Sequence, residues 1–150
     1  MGKASATVQI TGLEDVISQL ERRHRNVKEE LSEAMTAGGV VFAEAAKANA
    51  TPISKAIATG VRVKVTIKRG GVEVKVGSAS PLSHLFEFGV EAHPIKPKER
   101  QALLLGGGKF AGRVKHPGMS AKPWLRPAFD NRKEEAQEAV RRKLAQALMR

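Results

Sequence analysis

A glycine run followed by a lysine, Gly106-Gly107-Gly108-Lys109, has residue types that could bind a phosphate group. Phosphate-binding loops use such glycines to bring backbone amides close to the ligand. Their motif also needs a glycine five residues before the Gly-Lys pair and a serine or threonine after it. Leu103 and Phe110 stand at those two positions. We therefore interpret the run as a flexible turn between two strands and expect no cofactor.

The spacing of histidine and glutamate makes a metal site arithmetically possible, because His84 and Glu87 are three residues apart and His93 and His116 follow. The chain has no cysteine, which excludes thiolate zinc sites, disulfides and cysteine nucleophiles. The helical motif with two histidines four residues apart is absent, and no serine stands in a Gly-x-Ser-x-Gly turn. The sequence thus predicts no metal ligand, no catalytic residue and no enzymatic activity.

Glu87 lies between two phenylalanines, Phe86 and Phe88, in a short apolar segment that ends at Gly89. Apolar neighbours predict burial of the carboxylate. A buried carboxylate is normally paired, and backbone amides or an arginine are its usual partners. We therefore favour such a pairing for Glu87 over an acid–base role.

Charge is the strongest compositional signal, because 26 Lys and Arg residues against 15 Asp and Glu residues give a net charge of +11 over 150 residues. Residues 1–50 sum to −1 (six basic, seven acidic), and residues 51–150 sum to +12 (20 basic, eight acidic). Such segregation favours a polyanion or an acidic protein surface as a neighbour. No apolar run approaches the roughly 20 residues of a membrane span, so a single globular domain without a membrane partner is expected.

The N-terminal third is predicted to form a short strand and two helices. Residues 7–10 alternate like a strand, and a capping box begins a helix over residues 11–23. A longer helix is predicted over residues 27–50, where Gly38 falls on the apolar side and indicates close approach of another backbone. Asn49 occupies the next apolar position and suggests that the buried face ends there.

A β-hairpin is the clearest predicted element. Apolar and polar residues alternate over 61–68 and again over 72–76, and Gly70-Gly71 supplies a two-residue turn. This turn would place Ile67 opposite Val74. The polar side of the hairpin is basic, and we consider two interpretations: a solvated sheet face that protects an edge, or a surface directed at DNA. The DNA-facing candidates are Arg62, Lys64, Lys68, Arg69 and Lys75.

The remaining chain is less regular. Residues 53–60 are expected to be a loop or short turn, and short strands are predicted at 102–105 and 110–114. A last helix begins at about Pro127. The fold class is therefore α+β, with N-terminal helices and a long C-terminal helix packed on a small antiparallel sheet that contains the hairpin. Within the single domain of residues 1–150, residues 1–6 are expected to be flexible and residues 90–122 to be rich in loops.

Four short motifs occur in a fixed order: Gly12-Leu13-Glu14, Thr59-Gly60, the block from His84 to Gly89, and His116-Pro117-Gly118 followed by Pro123-Trp124-Leu125-Arg126-Pro127-Ala128-Phe129. In this order they resemble the tail-completion or neck family of long-tailed bacteriophages, also described as minor tail components of the head–tail joining region. The resemblance covers about residues 10–148, and its last two motifs are the specific ones. Trp124 stands where the family usually has phenylalanine, and the Arg-Thr-Gly form often seen before the hairpin is lacking.

The resemblance implies a structural virion protein without catalysis, located at the neck and assembled in the host cytoplasm. It implies a homo-oligomeric ring, of about six copies, around the DNA passage. The implied neighbours are tail terminator, tail-tube and head-closure proteins, with double-stranded DNA close by and no cofactor. A small protein can build a ring by repeating one head-to-tail interface. Candidate residues for subunit contact or for locking the core are Phe86, Phe88, His116, Pro117, Gly118, Trp124, Leu125, Arg126, Pro127 and Phe129.

A second hypothesis from a different class remains open at this point. The chain could be a basic nucleic-acid-binding module whose partner is DNA or RNA itself. Its affinity would then be dominated by phosphate contacts and would fall steeply as salt rises, whereas specific protein contacts would survive moderate salt.

Overall fold

A computed structural model describes residues 5–9, 27–69, 71–98, 102–104 and 106–149. The helix expected over residues 11–23 lies outside the described residues. The elements, in chain order, are β1 (Ser5–Gln9), α1 (Val27–Ala50), α2 (Lys55–Gly60), β2 (Val61–Lys68), β3 (Gly71–Ser78), α3 (Ser83–Phe88), β4 (His93–Ile95), β5 (Leu103–Leu104), a 3₁₀ turn (Gly106–Gly108), β6 (Phe110–Ala111), β7 (Val114–His116) and α4 (Arg126–Leu148).

A three-stranded antiparallel sheet is built around the predicted hairpin. Strand β3 lies in the centre, with β2 on one side and β1 on the other. The valines of the hairpin face α1, and its charged residues face away. The strand predicted over residues 7–10 is present as Ser5–Gln9, so the expectation of flexibility is wrong for Ser5 and Ala6, which pair with Gly77 and Val76. The pairing of β1 with β3 makes the hairpin part of a larger sheet.

The predicted register of the hairpin is wrong by two residues. Ile67 pairs with Val72, Val65 with Val74 and Val63 with Val76, so the two residues between the strands are 69–70. A shift by two leaves every side chain on the same face, and alternation alone therefore cannot distinguish the two registers. The observed register makes three apolar cross-strand pairs, whereas the predicted one makes two.

Helix α1 lies between the sheet and α4, and two adjacent glycines allow both neighbours to approach it. A Cβ on Gly38 would lie 2.7 Å from Val140 Cγ2 on α4. A Cβ on Gly39 would lie 2.7 Å from Val74 Cγ1 and 2.9 Å from Val63 Cγ1 on the sheet. The Cβ on Gly38 would also lie 3.2 Å from the backbone oxygen of Ala136, so the close approach of another backbone predicted at Gly38 is confirmed. Gly39 makes room for valine side chains of the sheet.

The α+β fold class is confirmed. Helix α4 packs along α1, and the core contains the apolar sides of both helices, the inner face of the hairpin and the segment that enters α4. Helix α1 has the bounds predicted from the sequence, and α4 begins one residue before Pro127. Over the described ranges, no helix combines the length and apolar character that crossing a bilayer would require.

Two parts of the chain differ from the sequence prediction. Residues 55–60 form the short helix α2 where a loop or turn was expected, because Ile57 and Ala58 become buried against the core. Within residues 90–122, the two short strands predicted beside the glycine run are confirmed as the pair β5–β6. An additional antiparallel pair, β4–β7, was not predicted.

Gly39→Ala is expected to lower the free energy of unfolding by up to about 2 kcal/mol. Overpacking against two stiff valines costs about 1–3 kcal/mol, and the better helix propensity of alanine returns about 1 kcal/mol. The measurement is urea unfolding followed by circular dichroism. Ala48→Gly, at an exposed position of the same helix, reports the propensity effect alone. A Gly39→Ala protein that is more stable than the parent would contradict the close packing.

Candidate functional site

The carboxylate of Glu87 on α3 binds the first residues of α4 and the turn before them. Glu87 Oε2 accepts hydrogen bonds from the backbone N–H groups of Trp124 (2.8 Å) and Leu125 (2.9 Å), and Oε1 accepts one from Arg126 N–H (3.0 Å). Amides at a helix N-terminus have no partner within the helix, and the helix dipole favours a negative charge there. Glu87 is buried, so the pairing with backbone amides expected from the sequence is confirmed.

The side chain of Trp124 is fully buried between α1 and α3. Its indole N–H donates to the backbone carbonyl of Ser83 at 3.3 Å, and its own carbonyl accepts a hydrogen bond from Asn49 Nδ2 at 3.1 Å. The prediction that the buried face of α1 ends at Asn49 is wrong, because Ala50 is also fully buried. A polar residue in an apolar stripe signals a buried hydrogen bond as readily as the end of a face.

The phenylalanines proposed for contact differ in exposure. Phe129 is half-buried and stacks on Phe42 of α1 with ring centroids 4.1 Å apart, and Phe86 is also half-buried against the core. Phe88, on the outer side of α3, is 66% exposed. Of these side chains, Phe88 therefore offers the largest fraction of its apolar surface to a partner.

A shallow cleft lies beside Phe88 at the start of α4. Its lining includes Phe88, Pro123, Arg126 and Pro127, and the exposed Asp130 adds a carboxylate. Arg126 is exposed, because Glu87 binds its backbone N–H and not its guanidinium. Leu125 is buried and packs inward. The structure thus divides the sequence motif into inward anchors and a surface that combines an exposed aromatic ring, prolines and one cation.

His116, Pro117 and Gly118 lie at the base of a segment that we call the arm, which comprises the described residues 90–98, 102–104 and 106–119. Val90 and Met119 exchange two backbone hydrogen bonds of 2.8 Å at its base. Gly118 has φ +85°, and a Cβ there would lie 2.5 Å from Val90 O, so only glycine fits. His116 stacks on His93 with centroids 5.0 Å apart, and Pro117 is exposed.

The histidines do not assemble a metal site in the described residues. His93 and His116 stack in the arm, whereas His84 lies on α3. Glu87, the acidic partner considered from the sequence, is occupied by three backbone amides. Within the part of the chain that the structure describes, no group of three or more potential metal ligands converges.

Two of the five candidate cations on the hairpin share one carboxylate, that of Glu73. Glu73 accepts an ion pair from Lys68 and a second, 3.4 Å long, from Lys75. The hydrogen bond from Lys68, together with the charges of both lysines, lowers the pKa of Glu73 below its ordinary value of 4.5, although desolvation opposes the shift. The group formed by Glu73, Lys68 and Lys75 therefore carries a net charge of +1 at neutral pH.

The other three candidates are differently placed. Arg62 Nη1 donates to the backbone carbonyls of Thr59 (2.9 Å) and Val61 (3.0 Å), which holds its guanidinium against the start of β2. Lys64 and Arg69 are exposed and have no ion pair with any described residue. Lys64 and Arg69 are thus the hairpin cations most available to a phosphate.

Comparison with known proteins identifies the class of protein to which the chain belongs. A family model described as "Bacteriophage HK97-gp10, putative tail-component" matches residues 14–89, just over half of the chain. No curated protein and no solved structure gives a significant match. The matched region runs through α1, the hairpin and α3, and it ends before the arm.

The chain belongs to this family of phage tail components, as the sequence motifs predict. It is a structural tail protein, and its location is the virion. The partners of a tail component are other tail or virion proteins. Because the match ends at Gly89, the buried Trp124 segment and the arm lie outside it.

Glu87→Ala is expected to lower the free energy of unfolding by about 3 kcal/mol or more, because three backbone donors lose their acceptor and each such donor costs about 1–3 kcal/mol. Glu87→Gln keeps one acceptor oxygen and should cost less. Urea unfolding measures both, and Glu91→Ala, which removes an exposed carboxylate nearby, is the matched control. Equal stability of the Glu87→Ala and Glu91→Ala proteins would contradict the assigned role of Glu87.

Proposed function

We propose that this tail component acts at the top of the tail, in the neck. There it assembles in a ring around the DNA passage and makes the tail competent to join a filled head. Its neighbours in this proposal are the tail terminator, tail-tube and head-closure proteins. The family match over residues 14–89 carries the proposal, because it covers the hairpin and the α3 motif that resemble tail-completion proteins.

The distribution of surface chemistry supports assembly by protein contacts. The exposed Phe88 and the cleft formed with Arg126 and Pro127 combine apolar area with a cation. Aromatic residues and arginine are enriched among the residues that dominate interface energetics. One such surface, docked on a different surface of the next copy, repeats around a closed ring when the rotation permits. Neither an acid–base pair nor an activated nucleophile is needed for this role.

The basic charge supports a position beside DNA. Each copy carries +11, so a ring of copies would surround its lumen with a positive potential that acts on phosphates without reading bases. Lys64 and Arg69, which lack ion pairs in the described residues, are the candidates on the hairpin for this contact. The second candidate function, a basic nucleic-acid-binding module, is favoured by the same cations.

The experiment that tests the neck assignment is removal of the gene from the phage that encodes this protein. Heads filled with DNA and separate tails should then accumulate, and negative-stain imaging would count them against joined particles. Supplying the protein from a plasmid should restore joining. Fully infectious, normally joined particles made without the protein would overturn the proposal.

Phe88→Asp is expected to leave the fold intact and to prevent plasmid complementation. An aspartate at the centre of an interface costs about 2 kcal/mol or more, and a ring repeats that cost at every contact. The measurements are phage titre and circular dichroism. Met149→Asp is the matched control, since Met149 is an exposed apolar residue at the far end of α4. Normal titres with the Phe88→Asp protein would exclude Phe88 from an essential contact.

Lys64→Glu combined with Arg69→Glu is expected to weaken binding to double-stranded DNA. The affinity should also depend less steeply on salt, because fewer phosphate contacts release fewer counterions on binding. Gel-shift titrations at several salt concentrations provide the measurement. Lys55→Glu with Lys122→Glu changes the net charge equally at exposed positions elsewhere. Equal weakening by the two pairs would show that total charge matters rather than the hairpin. Tight DNA binding near physiological salt, without binding to tail proteins, would favour the nucleic-acid-binding function.

A further inference from the structure

The arm contains two separate antiparallel pairs of short strands. Above the base pair Val90–Met119, β4 pairs with β7 and β5 pairs with β6. In the described residues, neither pair makes an extended contact with a helix or with the three-stranded sheet. An isolated pair of strands is marginally stable in water and normally needs a further surface to pack on. In the described residues, the arm therefore lacks the packing surface that such pairs of strands require.

The outer part of the arm exposes apolar side chains. Leu104 and Phe110 face each other across β5 and β6 and are 69% and 72% exposed. Ile95 on β4 is also exposed. Exposed apolar side chains that lie together mark protein contacts rather than phosphate contacts. The chemistry of the outer arm thus favours a protein as its partner.

The arm is also basic. It carries exposed cations that have no ion pair with any described residue, and Glu91 is the one acidic side chain in the arm that the structure describes. A partner of the arm should therefore combine apolar area with negative charge. The cations are Lys96, Lys98, Lys109, Arg113 and Lys115.

Helix α1 has a surface with this combination. Glu29, Glu33, Val40 and Glu44 are exposed and lie along one side of the helix, opposite the side that packs on α4 and the sheet. We call these four residues the α1 stripe. None of its carboxylates has an ion pair in the described residues, although Lys47 adds one cation at its C-terminal end.

The α1 stripe and the arm are similar in length. Fifteen residues separate Glu29 from Glu44, which is about 22 Å along a helix. On the side of the arm that the structure describes without a gap, six residues separate Phe110 from His116, which extend to about 20 Å. The paired part of the arm is therefore nearly as long as the stripe.

We propose that the arm of one copy lies along the α1 stripe of the next copy, with Leu104 and Phe110 near Val40 and the arm cations beside the stripe carboxylates. The two surfaces differ, so the contact is head-to-tail and every copy can both give and receive an arm. The proposal rests on the self-assembly proposed above and names the surfaces that carry it. It also gives the uneven charge a use, because the acidic surface lies in the N-terminal third and the basic arm lies beyond it.

Inter-copy disulfide formation tests the contact, and the absence of native cysteine makes the test clean. Val40→Cys and Phe110→Cys are made in separate proteins, which are mixed at high concentration and oxidised. A disulfide requires Cα atoms within about 7 Å, so the mixture should give a linked dimer on a non-reducing gel. Either protein alone should not give it, because each carries one half of the contact. Ala145→Cys, at an exposed position on α4, replaces Val40→Cys as the control.

Charge reversal provides a second, independent test of the contact. Lys109→Glu with Arg113→Glu should weaken self-association, measured by light scattering, roughly tenfold or more, because attraction at two positions becomes repulsion. Adding Glu33→Lys and Glu44→Lys, the stripe carboxylates on either side of Val40, to the same chain should restore association. A merely misfolded variant would not be rescued in this way.

Three results would overturn the proposal: a mixture that stays monomeric, a linked dimer that forms equally with Ala145→Cys, or a linked dimer that requires added double-stranded DNA. The last result would assign the arm cations to DNA. These outcomes are separate from failure of the neck function. Loss of arm linkage with normal complementation would reject the arm contact alone, and arm linkage in a protein whose removal leaves phage infectious would reject the neck role alone.

Discussion

The placement of α4 depends on one carboxylate. Glu87 accepts three backbone hydrogen bonds at residues 124–126 and thereby fixes where α4 starts and how it approaches α1. The same region fixes the base of the arm, because Lys122 N–H donates to Phe86 O at 2.7 Å. Helix α3, with only six residues, thus connects the long C-terminal helix, the arm and the exposed Phe88. Helix α3 has this effect because the Glu87 carboxylate accepts hydrogen bonds from backbone N–H groups that have no partner within α4.

The sequence predicts those elements whose residues repeat with a clear period. Helix α1 and the hairpin follow from apolar spacings of 3.6 and 2 residues, and Gly38 indicates a close neighbour before that neighbour is known. The prediction of the hairpin register fails because a shift by two residues preserves the alternation. The β4–β7 pair cannot be predicted because three residues, one of them Pro94, are too few to establish a period. Pairing between distant short segments is a property of the folded chain and leaves little local signal.

Charge shows a similar limit of sequence reasoning. Counting lysines and arginines predicts a basic hairpin but cannot show which of them are engaged. In the structure Glu73 holds Lys68 and Lys75, and backbone carbonyls hold Arg62. The arm, described from the sequence mainly as loops, carries cations without ion pairs in the described residues. The candidate surface therefore shifts from one hairpin to two separate basic regions, and partners of the residues, rather than their number, decide which region is available.

The contact between Glu87 and α4 recognises main-chain atoms, and this has a consequence for how the surface can change over evolution. Any residue except proline supplies the required N–H, and the two prolines of the segment, Pro123 and Pro127, stand just outside the three donors. The side chain at position 126 is therefore free to vary without moving the helix. A phage lineage could adapt this outer surface to a new neighbour while the internal architecture stays constant.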